Sequence, residues 1–520
     1  MKAKAPNVLL IMVDQMAAPA LPIYRNTRVQ APNIVRLAEK GVVFENAYCN
    51  FPLCAPSRFS MLAGRLAPSI DAFDNASEFS AAVPTLPHYL GALGYTTTLC
   101  GKMHFIGPDQ LHGYQERLTT DVYPSDFAWT PNWEEGELNK PSGVSMRSVV
   151  EAGICIRSMQ IDYDEEVEHY ALQKIYDLAR APDKPPFFLT VSFTHPHPPF
   201  VITEDYWNRY RRNDIDMPSV AAIPPDAQDP YSHWLHIAHG GDMHTVTDEH
   251  VRQARHAYYG MISYLDDKIG RMMKVLEETR LDENLIVVFA SDHGEMLGER
   301  GMWYKQTFYE WSVRVPLIVA YPGVVPPGSR NQVVALVDLL PTLIDLASEG
   351  HPPDVADPLD GSSLKNLLLS RDDSSWPNTA IADYTAEGVR GPCRMVRHGA
   401  YKYIYTHGHR GQLYDLEKDP SELTNLAGRA DHALIEKRLV DRLMKSWNPE
   451  ELTERVMRSQ RRRRFVHHAL KTSHGPNWAF VARPGDERRF VREAGAVVEA
   501  KARGRFPYVA PVPPDKSTAA

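Results

Sequence analysis

Short, almost wholly apolar runs alternate with stretches of helical periodicity along much of this chain. Such runs are typical of parallel strands that are buried on both faces of a sheet. We predict strands at residues 7–13, 41–44, 95–100, 187–193 and 285–290. The helical periodicity predicts helices at residues 32–40, 84–93 and 248–279. This alternation predicts an α/β fold with a large, doubly wound, mostly parallel sheet flanked by helices.

Polar residues follow several of the predicted strands closely. In doubly wound sheets, ligands collect at the carboxyl ends of the strands. That rule gathers six residues into one candidate site: Asp14, Lys102, His195, His197, Asp292 and His293. Residues 105–160 are rich in Pro, Gly, Trp and Tyr and show little periodicity, so we predict long loops over this site.

The pattern changes beyond residue 350. A Pro- and Asp-rich stretch at 350–375 marks a boundary, so we assign residues 1–375 to the large α/β domain. Residues 394–405 and 411–416 alternate like an antiparallel hairpin, which predicts a small C-terminal α+β subdomain with an antiparallel sheet at 376–450. Residues 451–520 are interpreted as a helix and an extended tail, a candidate oligomerisation arm.

Composition and charge exclude several classes of protein. The 520 residues are 43% hydrophobic and 23% charged, which is ordinary for a globular protein and excludes disorder throughout. The net charge of −8 argues against a dedicated nucleic-acid binder. We therefore interpret the run Arg461-Arg462-Arg463-Arg464 as a solvated or subunit-contacting helix face. An anionic substrate stays compatible, because net charge does not set local fields.

The sequence also bears on location. It contains no run of about 18 apolar residues, so we expect no membrane partner. The first apolar run ends at Asp14 without a small-residue cleavage site, which favours a buried strand over a signal peptide. Five cysteines without a CxxC spacing predict reduced thiols and a cytoplasmic protein.

The most informative motif is Cys54-Ala55-Pro56-Ser57-Arg58, which Met61-Leu62-Ala63-Gly64-Arg65 follows. A lone cysteine is usually a small buried hydrophobe, so the surrounding motifs matter: Asp14-Gln15, Gly101-Lys102-Met103-His104, Thr194-His195-Pro196-His197, Ser291-Asp292-His293-Gly294 and Lys305. In this order they resemble the type I (formylglycine) sulfatases of the alkaline phosphatase superfamily. Further stretches are typical of the choline sulfatase group, so that the resemblance covers almost the whole chain: 107–113, 116–121 and 291–301.

The resemblance implies a sulfuric ester hydrolase that converts a small, choline-sulfate-like organic monoester to an alcohol and inorganic sulfate. It implies that a maturase oxidises Cys54 to formylglycine, whose hydrate attacks sulfur with one hydroxyl and needs the second to release sulfate. The catalytic residues carried over are Cys54, Arg58, Lys102, His104, His197 and Lys305. The metal ligands carried over are Asp14, Gln15, Asp292 and His293, and the alcohol-binding residues are Asn75, Trp129 and Glu387.

The residue types suit these roles. Two carboxylates, an amide oxygen and one imidazole form an oxygen-rich set for one divalent metal ion, Ca²⁺ or Mn²⁺, with Mg²⁺ also suitable. Arg58 lies one helical turn after Cys54 and on the same face. By resemblance, His104 is the candidate base, and His197 with Lys305 protonates the leaving oxygen. The ordinary alternatives are a turn residue for Asp292 and a packed side chain for His195.

Several functions stay open at this level. Lys140 would repel a trimethylammonium group. Another alkyl or aryl sulfate, a sulfamate with an N–S bond, and a phosphonate or phosphate ester of the same superfamily are therefore alternatives to choline sulfate. The non-enzymatic alternative is an inactive anion-binding relative with unmodified Cys54. As partners we expect a small sulfate ester, a formylglycine-generating maturase and further copies of this chain in a dimer or tetramer.

Overall fold

The apolar runs form the middle of a large sheet in the computed structural model, which describes residues 5–136, 138, 144–180, 185–348, 353–370, 374–472 and 478–480. Its strands are β1 (Asn7–Val13), β2 (Val42–Tyr48), β3 (Thr96–Gly101), β4 (Glu116–Arg117), β5 (Gly153–Ile154), β6 (Phe187–Ser192), β7 (Val201–Ile202), β8 (Leu285–Ser291), β9 (Leu317–Ala320), β10 (Gly328–Ala335), β11 (Thr379–Tyr384), β12 (Cys393–His398), β13 (Tyr401–Thr406) and β14 (Gln412–Asp415).

The α-helices lie between and after these strands. They are α1 (Pro32–Glu39), α2 (Cys54–Ala63), α3 (Leu86–Ala92), α4 (Arg147–Val150), α5 (Met159–Ala179), α6 (Glu204–Trp207), α7 (Pro230–Ala238), α8 (Asp248–Glu278), α9 (Glu310–Val313), α10 (Leu339–Ala347), α11 (Lys365–Leu369), α12 (Ala433–Met444) and α13 (Pro449–Thr472). Short 3₁₀ segments occupy Ala18–Ala20, Pro22–Tyr24, Ala67–Ile70, Trp133–Glu135, Arg212–Asp214, Pro225–Ala227, Leu281–Asn284, Glu299–Gly301, Leu336–Asp338 and Ala430–His432.

The large sheet has the strand order β10-β2-β9-β8-β1-β6-β3-β4. All neighbouring strands are parallel except β9, which runs antiparallel to both β2 and β8. This confirms the predicted doubly wound, mostly parallel sheet. Strands β9 and β10 were not predicted. Helix α5 was not predicted either, and it begins where the predicted loop region of residues 105–160 ends.

Strand β1 explains why the central runs are apolar at every position. Its alternate side chains enter two different cores: Val8, Leu10 and Met12 on one face, and Leu9, Ile11 and Val13 on the other. Residues of α2, α3 and α10 fill the first core, and residues of α1, α5 and α8 fill the second. A strand covered by helices on both faces has no position left for a polar side chain.

A second sheet follows, with the antiparallel order β11-β12-β13-β14. The predicted hairpin is present. Both of its strands, β12 and β13, come from the stretch predicted at 394–405, and β11 and β14 flank them. One face contributes Ala382, Met395 and Ile404 to the core of the large sheet. The other face packs Val396 and Leu413 against α12.

The described residues through Trp478 belong to one compact unit, and Ala479–Ala520 are grouped as a second. The boundaries at 375 and 450 stay predictions. The end of the tail predicted within 451–520 falls on residues 481–520, which lie outside the described residues, as does Lys140. No helix in the described part of the chain is long and apolar enough to cross a membrane.

A buried ion cluster joins the two sheets. Lys402 on β13 donates from Nζ to Glu310 at 2.6 Å, to Glu422 at 2.7 Å and to the Phe308 carbonyl at 2.9 Å. Lys402 is fully buried. Burial alone would raise the pKa of Glu310, but the charges of Lys402, Arg314 and Arg397 together outweigh it and lower that pKa to about 2. The ammonium group of Lys402 therefore offsets the negative charge of Glu310 and Glu422, which are largely shielded from water.

Replacing this lysine tests the role of the cluster. Lys402→Met leaves the buried Glu422 without its cation, while Glu310 keeps Arg314 at 3.3 Å, so we expect a loss of about 3 kcal/mol in the free energy of unfolding. The measurement is the shift in thermal unfolding temperature. Lys437→Met is the matched control, because Lys437 pairs with Asp441 on the exposed surface of α12. An equal, small shift for both variants would contradict the assignment.

Candidate active site

Two neighbouring strands bring the central carboxylates together. Strands β1 and β8 are parallel, with Val13 opposite Ser291, so the next residues, Asp14 and Asp292, leave the same edge of the sheet side by side. Helix α2 begins at Cys54 and points its first turn at this edge. Three distant segments thus meet at the position where the α/β topology predicts a ligand site.

Four side chains form a buried cluster there: Asp14, Cys54, Asp292 and His293. One candidate ligand atom from each lies within 4.8 Å of the others. His293 Nε2 is 3.5 Å from Asp14 Oδ1, 3.7 Å from Asp292 Oδ1 and 3.3 Å from Cys54 Sγ. Two carboxylates and an imidazole in a fully buried cluster fit a hard divalent cation, which would offset their negative charge.

Gln15 lies at the rim of this cluster. Its backbone N–H donates to Asp292 Oδ1 at 3.1 Å, and its side-chain oxygen accepts a hydrogen bond from Lys305 Nζ at 2.6 Å. Its side-chain nitrogen donates to the buried carboxylate of Glu295. Gln15 has a φ of 67°, a left-handed conformation that is uncommon outside glycine and often found at functional sites.

Arg58 connects the ends of three strands. Its Nε donates to Asp292 Oδ2 at 2.7 Å, and one terminal nitrogen donates to the Lys102 carbonyl at 2.7 Å and to Ser192 Oγ at 2.9 Å. The side chain is fully buried, which excludes the ordinary alternative of a surface arginine. Arg58 therefore holds Asp292 in a fixed orientation beside residue 54.

Positive charge surrounds Cys54. Burial alone would raise the pKa of its thiol, but Lys102, Lys305 and the neighbouring histidines together outweigh burial, and the pKa lies well below its ordinary value. Lys305 Nζ is 3.2 Å from Cys54 Sγ, and Lys102 forms an ion pair with Asp14. The site therefore favours an anionic group at residue 54.

A cavity of about 220 Å³ opens in front of Cys54. It is lined by Cys54, Asn75, His104, Tyr123, Trp129, Val144, Ser148, Gln160, His197, Pro198, Pro199 and Lys305. Asn75 and Trp129 thus line the cavity, and their role in binding the alcohol stays a prediction. Glu387 is buried and accepts a hydrogen bond from Gln306 at 3.0 Å, but it is not one of the lining residues.

The histidines separate into two groups. His104 and His197 line the cavity, and His197 Nδ1 lies 2.8 Å from the Pro198 carbonyl. Burial lowers the pKa of His197. His195 is paired with Asp164 at 2.6 Å and packs against the Tyr264 ring, which is the packed role given to it as an alternative.

The sequence reasoning missed several lining residues, above all Tyr123. Its ring lies between those of His104, Trp129 and His197, at centroid distances of 5.3, 5.6 and 5.6 Å. Lys102 Nζ lies 4.4 Å from the centre of the same ring. Tyr123 belongs to the aperiodic region of residues 105–160. Its aromatic character was the only available signal, and no spacing connected it to the site.

The comparisons with known proteins are consistent along the chain. A family model described as sulfatase matches residues 6–349. Models described as N-sulphoglucosamine sulphohydrolase, C-terminal, and choline sulfatase enzyme C terminal match residues 298–448 and 454–506.

Individual relatives agree with these family matches. The chain is 40% identical over 495 residues to the choline-sulfatase of Rhizobium meliloti, covering 94% of this chain and 96% of that protein. It is 30% identical over 469 residues to the arylsulfatase of Clostridium perfringens, covering 82% and 91%. The phosphonate monoester hydrolase structure from Agrobacterium radiobacter has a TM-score of 0.66 at 23% identity, covering 85% and 95%, a likeness of fold.

Metal binding tests the cluster directly. Asp292→Asn keeps the size of the side chain but removes a carboxylate charge, so we expect Mn²⁺ or Ca²⁺ affinity to fall by at least about tenfold. The measurement is titration calorimetry on chelator-stripped protein. The control is Asp267→Asn, because Asp267 pairs with Arg209 at the surface. Unchanged affinity in Asp292→Asn would contradict the assignment of this cluster as the metal site.

Proposed function

The chain belongs to the sulfatase family and is a sulfuric ester hydrolase, and from this premise we propose that its substrate is a small organic sulfate monoester, with choline sulfate as the first candidate. The observation that carries the proposal is the small, partly aromatic cavity that opens directly on residue 54. A volume of about 220 Å³ suits a short alcohol and not an oligosaccharide.

The cavity chemistry supports a cationic alcohol. The Trp129 ring packs edge-on against His104, with Tyr123 beside both, and aromatic faces attract quaternary ammonium groups. Glu387 would supply a carboxylate from the layer behind the lining residues. The relatives add weight, because choline-sulfatase is the name of the 40% identical protein, and residues 454–506 match the C-terminal family of choline sulfatases.

One divalent ion, Ca²⁺ or Mn²⁺ with Mg²⁺ as an alternative, is proposed at Asp14, Asp292 and His293, with the Gln15 amide oxygen as a further ligand. Such an ion would supply positive charge that favours the ionised form of a hydroxyl at residue 54. The fit rests on the buried cluster of carboxylates and imidazole. Arg58 would keep Asp292 oriented toward the ion through its 2.7 Å hydrogen bond.

Residue 54 is proposed to act as formylglycine, whose aldehyde adds water to give two geminal hydroxyls, one for attack on sulfur and one for the release of sulfate. The structure contains cysteine here, so Sγ stands in for the reacting oxygen. Two observations support a nucleophile at this position: Lys305 Nζ lies 3.2 Å from Sγ, and the surrounding charges lower the pKa of the thiol.

The remaining side chains are proposed to hold the sulfate and move protons. Lys102 and Lys305 would face the sulfate oxygens, whose negative charge their ammonium groups stabilise. His197 with Lys305 would protonate the leaving oxygen, and His104 would take the proton from the second hydroxyl. Asp121 fixes the His104 backbone, because its Oδ2 accepts the His104 N–H at 2.8 Å.

Location and partners form part of the same proposal. The five cysteines, all free, support a reducing compartment such as the cytoplasm. A formylglycine-generating maturase is required if residue 54 is to be converted. A dimer or tetramer of this chain remains our expectation from the resemblance.

A substrate panel tests the reaction class. With protein made in the presence of a maturase, we expect choline sulfate and an aryl sulfate to be hydrolysed with kcat/KM at least about a hundredfold above a matched phosphonate monoester. A sulfamate is included because residues 298–448 match the sulphohydrolase family. Cys54→Ser should lose at least about a thousandfold in turnover. Preference for the sulfamate or phosphonate would contradict the proposal.

A matched pair of substrates tests choline recognition. Trp129→Ala should raise KM for choline sulfate about tenfold, because a desolvated cation–π contact contributes up to about 2 kcal/mol. The neutral carbon isostere, 3,3-dimethylbutyl sulfate, lacks the positive charge and should lose much less affinity. Steady-state kinetics on both esters give the comparison. An equal rise in KM for both would show that Trp129 fills space without recognising charge.

A further inference from the structure

Helix α13 lies behind the cavity wall, and we propose that two of its residues, Gln460 and Arg463, are positioning residues that set the affinity for the alcohol part of the substrate. This inference rests on the proposed function, since it concerns the same cavity. It also accounts for the arginine run, which the proposed mechanism does not use.

Arg463 makes the strongest contact. It forms a two-pronged ion pair with Asp74, with Nη1 to Oδ1 at 2.6 Å and Nη2 to Oδ2 at 2.7 Å, and both side chains are buried. Asp74 Oδ1 also accepts the Ala76 N–H at 2.9 Å, which closes a turn around Asn75. The guanidinium group therefore fixes the turn that carries a lining residue of the cavity.

Asn75 connects this turn to the nucleophile. Its side-chain oxygen accepts the backbone N–H of Ala55 at 3.0 Å, directly after residue 54. The path from α13 to the first turn of α2 thus runs through one ion pair, one short turn and one hydrogen bond. A shift of Arg463 would move Asn75 relative to residue 54.

The second wall segment is the loop that carries Trp129. Arg463 Nη1 donates to Thr130 Oγ1 at 3.3 Å, and Gln460 Oε1 accepts the Trp133 N–H at 3.0 Å. Residues three apart on a helix share one face, so both contacts come from the same side of α13. The loop is therefore held at two points shortly after Trp129, at Thr130 and at Trp133.

The third segment carries Glu387. The Trp133 indole N–H donates to the Ala386 carbonyl at 3.1 Å, and Thr385 Oγ1 donates to the Phe73 carbonyl at 2.8 Å. Glu387 is therefore tied to the other two segments and through them to α13. Each of the three candidate alcohol-binding residues lies next to a residue in this network.

The other arginines of the run behave differently. Arg461 and Arg464 pair with Glu134 and Glu135 at the surface, where ion pairs contribute little. Arg462 is exposed. The run is thus one buried anchor flanked by solvated charges, and Arg462 offers a matched control on the same helix.

Kinetics of three variants test the inference. Arg463→Lys keeps the charge but loses the two-pronged geometry, and Gln460→Leu removes the acceptor for Trp133. For the best sulfate ester of the panel, we expect KM to rise about tenfold in both, while kcat changes less than about threefold. The inhibition constant of inorganic sulfate, which has no alcohol part, should stay within about twofold. Arg462→Lys should match the wild type in all three values.

Hydrogen–deuterium exchange of the same proteins provides a readout that does not need turnover. Peptides covering residues 72–77 and 127–134 should exchange faster in Arg463→Lys than in Arg462→Lys. If the wild type hydrolyses no sulfate ester, the proposed function fails, and the exchange rates still decide the positioning role. The inference would be overturned if Arg463→Lys and Gln460→Leu both kept the wild-type KM and the wild-type exchange rates. The inference would also be overturned if KM and the inhibition constant of sulfate rose equally and the unfolding temperature fell, because that result indicates a purely structural role.

Discussion

The structure depends on two buried carboxylates that the parallel sheet forces together. Because β1 and β8 pair in register, Asp14 and Asp292 leave adjacent strand ends, fully buried. Burial and a neighbouring Cys54 thiolate would each raise the pKa of Asp14, but Lys102, His197 and Lys305 together hold it far below its ordinary value. Such a concentration of charge is stable only as a balanced set. The same set favours an anionic group at residue 54, and we propose that this group is the nucleophile beside a metal ion.

We propose that affinity for the alcohol has a separate origin from this charge balance. The end of the cavity at residue 54, proposed to hold the sulfate, is built by the carboxyl ends of the large sheet's strands and by helix α2. The alcohol end is built by loop segments, which need support from outside the sheet, and α13 lies against two of them.

The sequence predicted the parts of the molecule whose physics is local. Buried parallel strands give continuous apolar runs, so the runs around Leu10, Leu189 and Val288 located the sheet, and the carboxyl-end rule located Asp14 and Asp292. The edge strand β10 lacks such a run, since it has exposed polar positions. Strand β9 is apolar and buried at every position, but it is only four residues long. Tyr123 and the Arg463–Asp74 pair escaped notice for another reason. His197, the hydrogen-bond partner of Tyr123, lies 74 positions away in the chain, and Asp74 lies 389 positions from Arg463. No periodicity encodes a contact at such distances.

The proposed chemistry requires that residue 54 acts as an aldehyde hydrate beside the cluster of Asp14, Asp292 and His293. Peptide mass spectrometry of residue 54, in protein prepared with graded amounts of a formylglycine-generating maturase, tests this requirement most directly. We expect turnover per chain to rise in proportion to the fraction of residue 54 that carries the aldehyde. Full turnover by protein whose Cys54 is entirely an unmodified thiol would contradict it.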